Sequence, residues 1–122
     1  ALGTGRATVL VPTTYMENLA APWSAARVLA GELPYPVPAE ARIAWVTNDD
    51  VARAAEAAFA RDAAIGRRVP LGGPEVLDGP GVAERIGRAL GRPVAYRAVR
   101  GAEYATLMAP YLGEAVAAGI GA

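Results

Sequence analysis

The stretch Ala7-Thr-Val-Leu-Val11, closed by Pro12 and continued as Thr13-Thr-Tyr-Met-Glu-Asn18, decides the fold. A short, nearly continuous apolar and β-branched run reads as a strand buried on both faces, the habit of parallel sheets. Such a strand needs a neighbour and covering helices. Arg68–Leu71 is the candidate parallel partner, which leaves the other edge of Ala7–Val11 unpaired and in need of cover.

Working outward, helix and strand signals alternate. From Tyr15 to about Ala30, Met16, Leu19, Trp23, Ala26 and Ala30 recur at helical spacing, with Pro22 either kinking one helix or opening a second. Gly31 stops it. Leu33 to Ala39 carries Pro34, Pro36 and Pro38, so it is extended and serves only as an edge. Ile43–Val46 reads as a strand, and Thr47 with Asp50 forms a capping box. The helix it opens places Val51, Ala55, Ala58 and Phe59 on one face. Gly66 closes that region. Asp78 or Gly79 starts another helix, with Pro80 near its first position and a stripe of Val82, Ile86, Ala89 and Leu90. Gly91 and Pro93 end it. Val94–Val99 alternates, with Val94, Tyr96 and Ala98 on one side. The tail from Gly101 is helical, interrupted at Pro110, and frays into Gly119 and Gly121.

Composition removes most chemistry. The 122 residues fit one domain. Of the 53% that are hydrophobic, Ala supplies 29 residues, so the core is modest. Twelve basic residues, all Arg, balance twelve acids, giving net charge +0. That leaves no basic field for nucleic acid or an anionic membrane. The chain has no Cys, His, Lys or Gln, and Ser24 is its only Ser. Disulfides, thiolate nucleophiles, Cys/His zinc sites, Ser-His pairs and Schiff bases are all excluded for this chain acting alone. Asp, Glu, Tyr, Thr, Arg and backbone amides remain. No metal is expected. No apolar run approaches a membrane span and no signal-peptide pattern opens the chain, so the expectation is a cytoplasmic protein. A start at Ala1, not Met, running almost at once into a strand, is the look of a fragment or a processed product.

At this point the residues resemble a family. Thr8-Val-Leu-Val-Pro12 followed by Tyr15-Met-Glu-Asn-Leu19 is similar to the sixth strand and following segment of NmrA-like proteins. These are atypical short-chain dehydrogenase/reductases with an NAD(P)-binding Rossmann fold. The resemblance continues through Ala44-Trp-Val-Thr-Asn-Asp-Asp-Val-Ala-Arg53, Gly73-Pro-Glu75, Val82-Ala-Glu-Arg-Ile86 and Gly91-Arg-Pro-Val94. It covers the C-terminal half of the family only, and the Gly-rich dinucleotide turn has no counterpart. Gly3-Thr-Gly5 precedes a strand and Gly87–Gly91 closes a helix, whereas a phosphate turn follows a strand and opens a helix.

The resemblance implies an α/β fold: two parallel strands of a larger Rossmann sheet plus a small substrate subdomain of short strands and helices. Residues 1–122 would be one domain, the substrate-binding half, with the dinucleotide-binding half absent. Pro12, Thr13 and Thr14 would border the nicotinamide of NAD(P). Tyr15, Met16, Asn18, Trp23 and Tyr104 would border a small organic substrate of quinone or carbonyl type, between Tyr15–Trp23 and the final helix. The partners would then be that substrate and the missing N-terminal half. The competing class is a cofactor-free homodimer that binds an apolar metabolite, or a cyclase or ring-opening enzyme using carboxylate and Tyr groups.

Each candidate has a plain structural reading beside it. Asn18 fixes a loop and Met16 packs in a core. Asp49, Asp50 and Glu17 are acid/base groups or, more simply, helix-start acids. Trp23, Tyr35 and Trp45 wall an apolar pocket, or Trp45 serves the core. Tyr104 and Tyr111 form a lid or surface anchors. Arg92, Arg97 and Arg100 hold an anion, or form a solvated face paired with Glu84 and Glu103.

Overall fold

Two parallel strand pairs, each with a proline turned away from its partner, organise the chain. The computed structural model describes residues 7–61 and 65–121. The Gly-punctuated lead-in and its Gly3-Thr-Gly5 lie outside the described residues. Contacts divide the chain into two compact units, Ala1–Glu17 with Ile43–Val76 and Asn18–Arg42 with Leu77–Ala122.

In the first unit, β1 (Val9–Pro12) pairs in parallel with β4 (Arg68–Leu71), Val9 opposite Arg68 and Pro12 opposite Leu71. The Val9 and Thr13 amides donate to the carbonyls of Arg67 and Leu71, both at 2.9 Å. Alternation then turns the nitrogens of Pro12 and Pro70 away from the ladder, where a missing N–H costs nothing. The expected parallel pair is therefore present. β3 (Ile43–Ala44) leads into α2 (Asn48–Phe59), which packs on β1. The capping box of α2 is complete: the Asp50 amide donates to Thr47 Oγ1 at 3.1 Å and the Thr47 amide donates to Asp50 Oδ2 at 3.2 Å. Phe59, expected on the apolar face, is 93% exposed. Val51, Ala54, Ala55 and Ala58 are the half-buried stripe, and Phe59 lies one position too far round at the frayed last turn.

The second unit repeats the device. β2 (Glu32–Tyr35) pairs in parallel with β6 (Ala95–Ala98). The Ala95 and Val99 amides donate to Gly31 and Tyr35 carbonyls, so Pro34 points its nitrogen away. The segment Met16–Ala20 is a 3-10 turn and α1 spans Pro22–Leu29, in place of one helix from Tyr15. The reason is Ala21: a residue before proline is driven extended, here to ψ 154, and Pro22 then takes the first helical position.

Asp78 caps α3 (Gly79–Leu90), accepting from the Gly81 amide at 2.8 Å, and left-handed Gly91 closes it. The buried stripe of α3 is Gly79, Val82, Ala83 and Gly87; the expected Ala89 and Leu90 are exposed. Gly87 sits there because a Cβ would meet the Arg92 carbonyl at 2.8 Å. Of the expected face, Val94, just before β6, and Tyr96 are half-buried but Ala98 is exposed. α4 (Gly101–Leu112) runs through Pro110, and the break falls at Gly113, φ +83, before α5 (Glu114–Gly121). Pro110 lies so near the end of α4 that it removes only one amide donor, whereas a positive φ ends the helix outright. Leu33, Val82, Ala83, Met108 and Ala117 are at most 3% exposed and form the centre of this unit.

Gly73 tests the packing of the first unit. A Cβ there would lie 1.8 Å from the Trp45 carbonyl oxygen. Gly73→Ala is expected to cost more than about 2 kcal/mol in urea unfolding. Gly91→Ala, at φ +68 with nothing within 4 Å, is expected to cost about 1 kcal/mol. Equal losses would refute the close approach at Gly73.

Candidate functional site

The segment leaving β1 is held to the backbone of Val46. The Val46 amide donates to the Thr14 carbonyl at 3.0 Å and the Met16 amide donates to the Val46 carbonyl at 2.8 Å, with Tyr15 bridged between them. Trp45 and Val46 are 5% and 1% exposed, so the anchor is buried. The Thr13 hydroxyl donates to the Ala44 carbonyl and is thereby a structural tie. Pro12, Thr13, Thr14, Tyr15 and Met16 thus form a braced tip at the carboxyl end of a parallel strand, the end where open α/β sheets bind ligands. Met16 is 43% exposed and fills no core. Trp45 does serve the core.

Glu17 and Asp50, the acids nearest this tip, are committed to backbone amides. Glu17 Oε1 accepts from the Asn48 amide at 2.8 Å, and the Thr47 hydroxyl, donating to Asp50 at 2.7 Å, holds the Asp50 carboxyl below its usual range. Asp49 pairs with Arg53 at 2.8 Å on an exposed helix face. The first-turn amides of α2 at Asn48 and Asp50, like that of α3 at Gly81, are taken by the chain's own side chains. Neither helix start is left to bind a phosphate.

The second unit gathers aromatic residues. Trp23 Nε1 donates to Tyr104 Oη at 3.0 Å. The Tyr104 ring meets Tyr35 edge-on with centroids 5.5 Å apart, and Tyr111 lies 6.4 Å from Trp23. Burial pushes the Tyr35 phenol up to about 12, against the opposing hydrogen bond from Asn18. Asn18, Trp23 and Tyr104 therefore belong to one cluster through Tyr35. Tyr104, expected as a lid or surface anchor, is 4% exposed and lies inside, because helical spacing puts it on the face of Met108. Tyr111 is 53% exposed. Tyr96, pushed up to about 12 by burial, donates to the Val37 carbonyl at 2.7 Å.

Two features escaped the sequence reading. Ser24 is 1% exposed and its hydroxyl has no hydrogen-bond partner among the described residues; its spacing from Val28 was the available signal. The second is Glu32 as a partner of Arg97: the expected pair with Glu103 is present at 2.6 Å, Glu32 joins it, and those carboxylates raise the Arg97 pKa, Glu103 foremost. Glu84 pairs with Arg88 instead of the arginine group. A groove of about 540 Å3 lined by Ala83, Gly87, Arg92, Val94 and Tyr96 holds none of the residues expected to border cofactor or substrate; of the arginine group it takes Arg92. Among the described residues no group of three acids could hold a metal ion, and no helix is long and apolar enough to cross a membrane.

This architecture is a part of a Rossmann-like α/β fold. Solved structures share it. A nucleoside-diphosphate-sugar epimerase from Staphylococcus aureus matches at TM-score 0.71 and 24% identity, over 91% of this chain and 39% of that one. An NADPH-dependent quinone oxidoreductase from Escherichia coli, solved with NADPH, matches at TM-score 0.73 and 22% identity, over 90% and 38%. A triphenylmethane reductase from Citrobacter sp., solved with NADP(H), matches at TM-score 0.71 and 15% identity, over 90% and 39%. The chain thus spans about two fifths of the length of each. At such identities the likeness establishes the fold. No family model matches the chain, and no curated protein matches it.

The two raised phenols give a pH prediction. Folding favours the neutral form of Tyr35 and Tyr96, so this contribution to stability is complete below pH 10 and is lost as pH rises toward 12. Denaturant midpoints are expected to fall across that interval, and Tyr35→Phe to flatten the fall. A midpoint constant from pH 10 to 12 would contradict the burial of these hydroxyls.

Proposed function

We propose that this chain is the substrate-side part of an NAD(P)-dependent oxidoreductase resembling the NmrA-like proteins. In this reading Pro12, Thr13 and Thr14 border the nicotinamide by packing. The Thr13 hydroxyl is already spent on the Ala44 carbonyl, so it offers no donor to the cofactor. The dinucleotide phosphates are held by residues other than the starts of α2 and α3, whose amides are occupied. When bound, the cofactor supplies hydride chemistry, which suits a chain without His, Cys or Lys. In the second unit, Asn18, Trp23 and Tyr104 form the recognition cluster for a small aromatic, carbonyl-bearing substrate.

The observation that carries this reading is the likeness over about nine tenths of the chain to two enzymes solved with NADP(H), named a quinone oxidoreductase and a triphenylmethane reductase. The braced tip at the carboxyl end of β1 adds to it.

The test is the intact mass of the native protein together with NADPH binding in solution. A chain well above 12.5 kDa that binds NADPH is the expected result. A native chain of 12.5 kDa that forms a stable dimer and ignores NADPH would overturn the proposal in favour of a cofactor-free binder.

A further inference from the structure

The hydroxyl of Tyr104 is used on one side only. An indole N–H is donor-only, so at 3.0 Å from Trp23 Nε1 the Tyr104 oxygen is the acceptor. A phenol O–H lies close to its ring plane and has two settings; a donor arriving along one leaves the proton on the other. Among the described residues no hydrogen bond takes up that proton. The residue is 4% exposed, so bulk water does not satisfy it freely, and an unmade buried donor is destabilising. Tyr96 makes the contrast. Its hydroxyl donates to the Val37 carbonyl at 2.7 Å, a completed structural tie.

The ring of Tyr104 is fixed by the edge of Tyr35 at 5.5 Å and by burial. Trp23, in turn, is only half-buried and has Tyr111 at 6.4 Å, so this end of the cluster reaches the surface. We propose that Tyr104 donates a hydrogen bond to a carbonyl oxygen of a flat aromatic ligand, and that Trp23, by occupying the other side of the hydroxyl, is the positioning residue that aims it. This rests on the placement of the substrate at Asn18, Trp23 and Tyr104.

The test compares 1,4-naphthoquinone with naphthalene, two flat probes that differ in the carbonyl oxygens. Affinities come from equilibrium dialysis with the native protein that carries this chain, without added NADPH. The carbonyl stretching band of the bound quinone is read by infrared difference spectroscopy. The chain is expected to prefer the quinone about tenfold, one net hydrogen bond, with the band lowered from its free position. Tyr104→Phe should bring the two affinities to parity and return the band. Trp23→Phe keeps an aromatic ring but frees the hydroxyl to turn; it should weaken the preference and broaden the band, which a merely structural role would not do.

A preference and band unchanged in Tyr104→Phe would overturn the proposal and leave the recognition cluster standing. Binding of neither probe to the unaltered chain would overturn the cluster and this proposal together. Should Tyr104→Phe fail to fold, Trp23→Phe decides: an unchanged band and preference there overturns the proposal, and a broadened one supports it.

Discussion

A proline can join a parallel ladder only where its missing N–H faces away from the partner, and this chain is arranged around that constraint. Pro12, Pro34 and Pro70 all sit at such positions, fixed by the amides of Val9, Thr13, Ala95 and Val99 that point the other way. A one-residue slip in either pair would turn a proline into the ladder and remove a hydrogen bond. Register, hence which side chains face the helices, follows from three ring nitrogens. Proline acts again just before α1, where Pro22 disfavours a helical Ala21 and the helix begins afresh at Pro22.

That constraint also shapes the chemistry. Because β1 ends at Pro12 in fixed register, the residues after it leave the sheet at a set point, and Val46 grips them on both sides of Tyr15. The polar groups near this tip are consumed in holding it: Thr13 on Ala44, Glu17 on Asn48, Asp50 on Thr47. A carboxylate that accepts backbone amides at a helix start is stabilised in its charged form, which suits a cap and not a general acid. The acid/base alternative for Asp50 therefore loses to capping on energetic grounds.

What the sequence carried well were features set by local covalent chemistry. Proline at a helix start, glycine at positive φ, the Thr47 and Asp50 box and the β-branched run at Val9–Val11 each follow from a few neighbouring atoms. The misplaced features depend on what lies across the fold. Phe59 and Leu90 satisfy helical periodicity yet are exposed, because each falls in a last turn that no neighbour covers. Ser24 and the Glu32 partner of Arg97 were overlooked because one is set by packing and the other by a residue distant in sequence. Trp23 and Tyr104 were named separately; that they bond each other over 81 positions is legible only in three dimensions.

The aromatic cluster is where this composition concentrates its remaining chemistry. With no His, Lys or Cys, the groups able to donate a hydrogen bond to a neutral ligand near pH 7 are hydroxyls, amides, indoles and guanidinium groups. Burial that pushes Tyr35 and Tyr96 up to about 12 makes them weaker acids and preserves them as neutral donors. A phenol hydroxyl recognises an acceptor oxygen through the direction of its hydrogen bond. Direction needs a rigid ring and a second contact on the oxygen. Tyr104, wedged against Tyr35 and held by the Trp23 indole, has both.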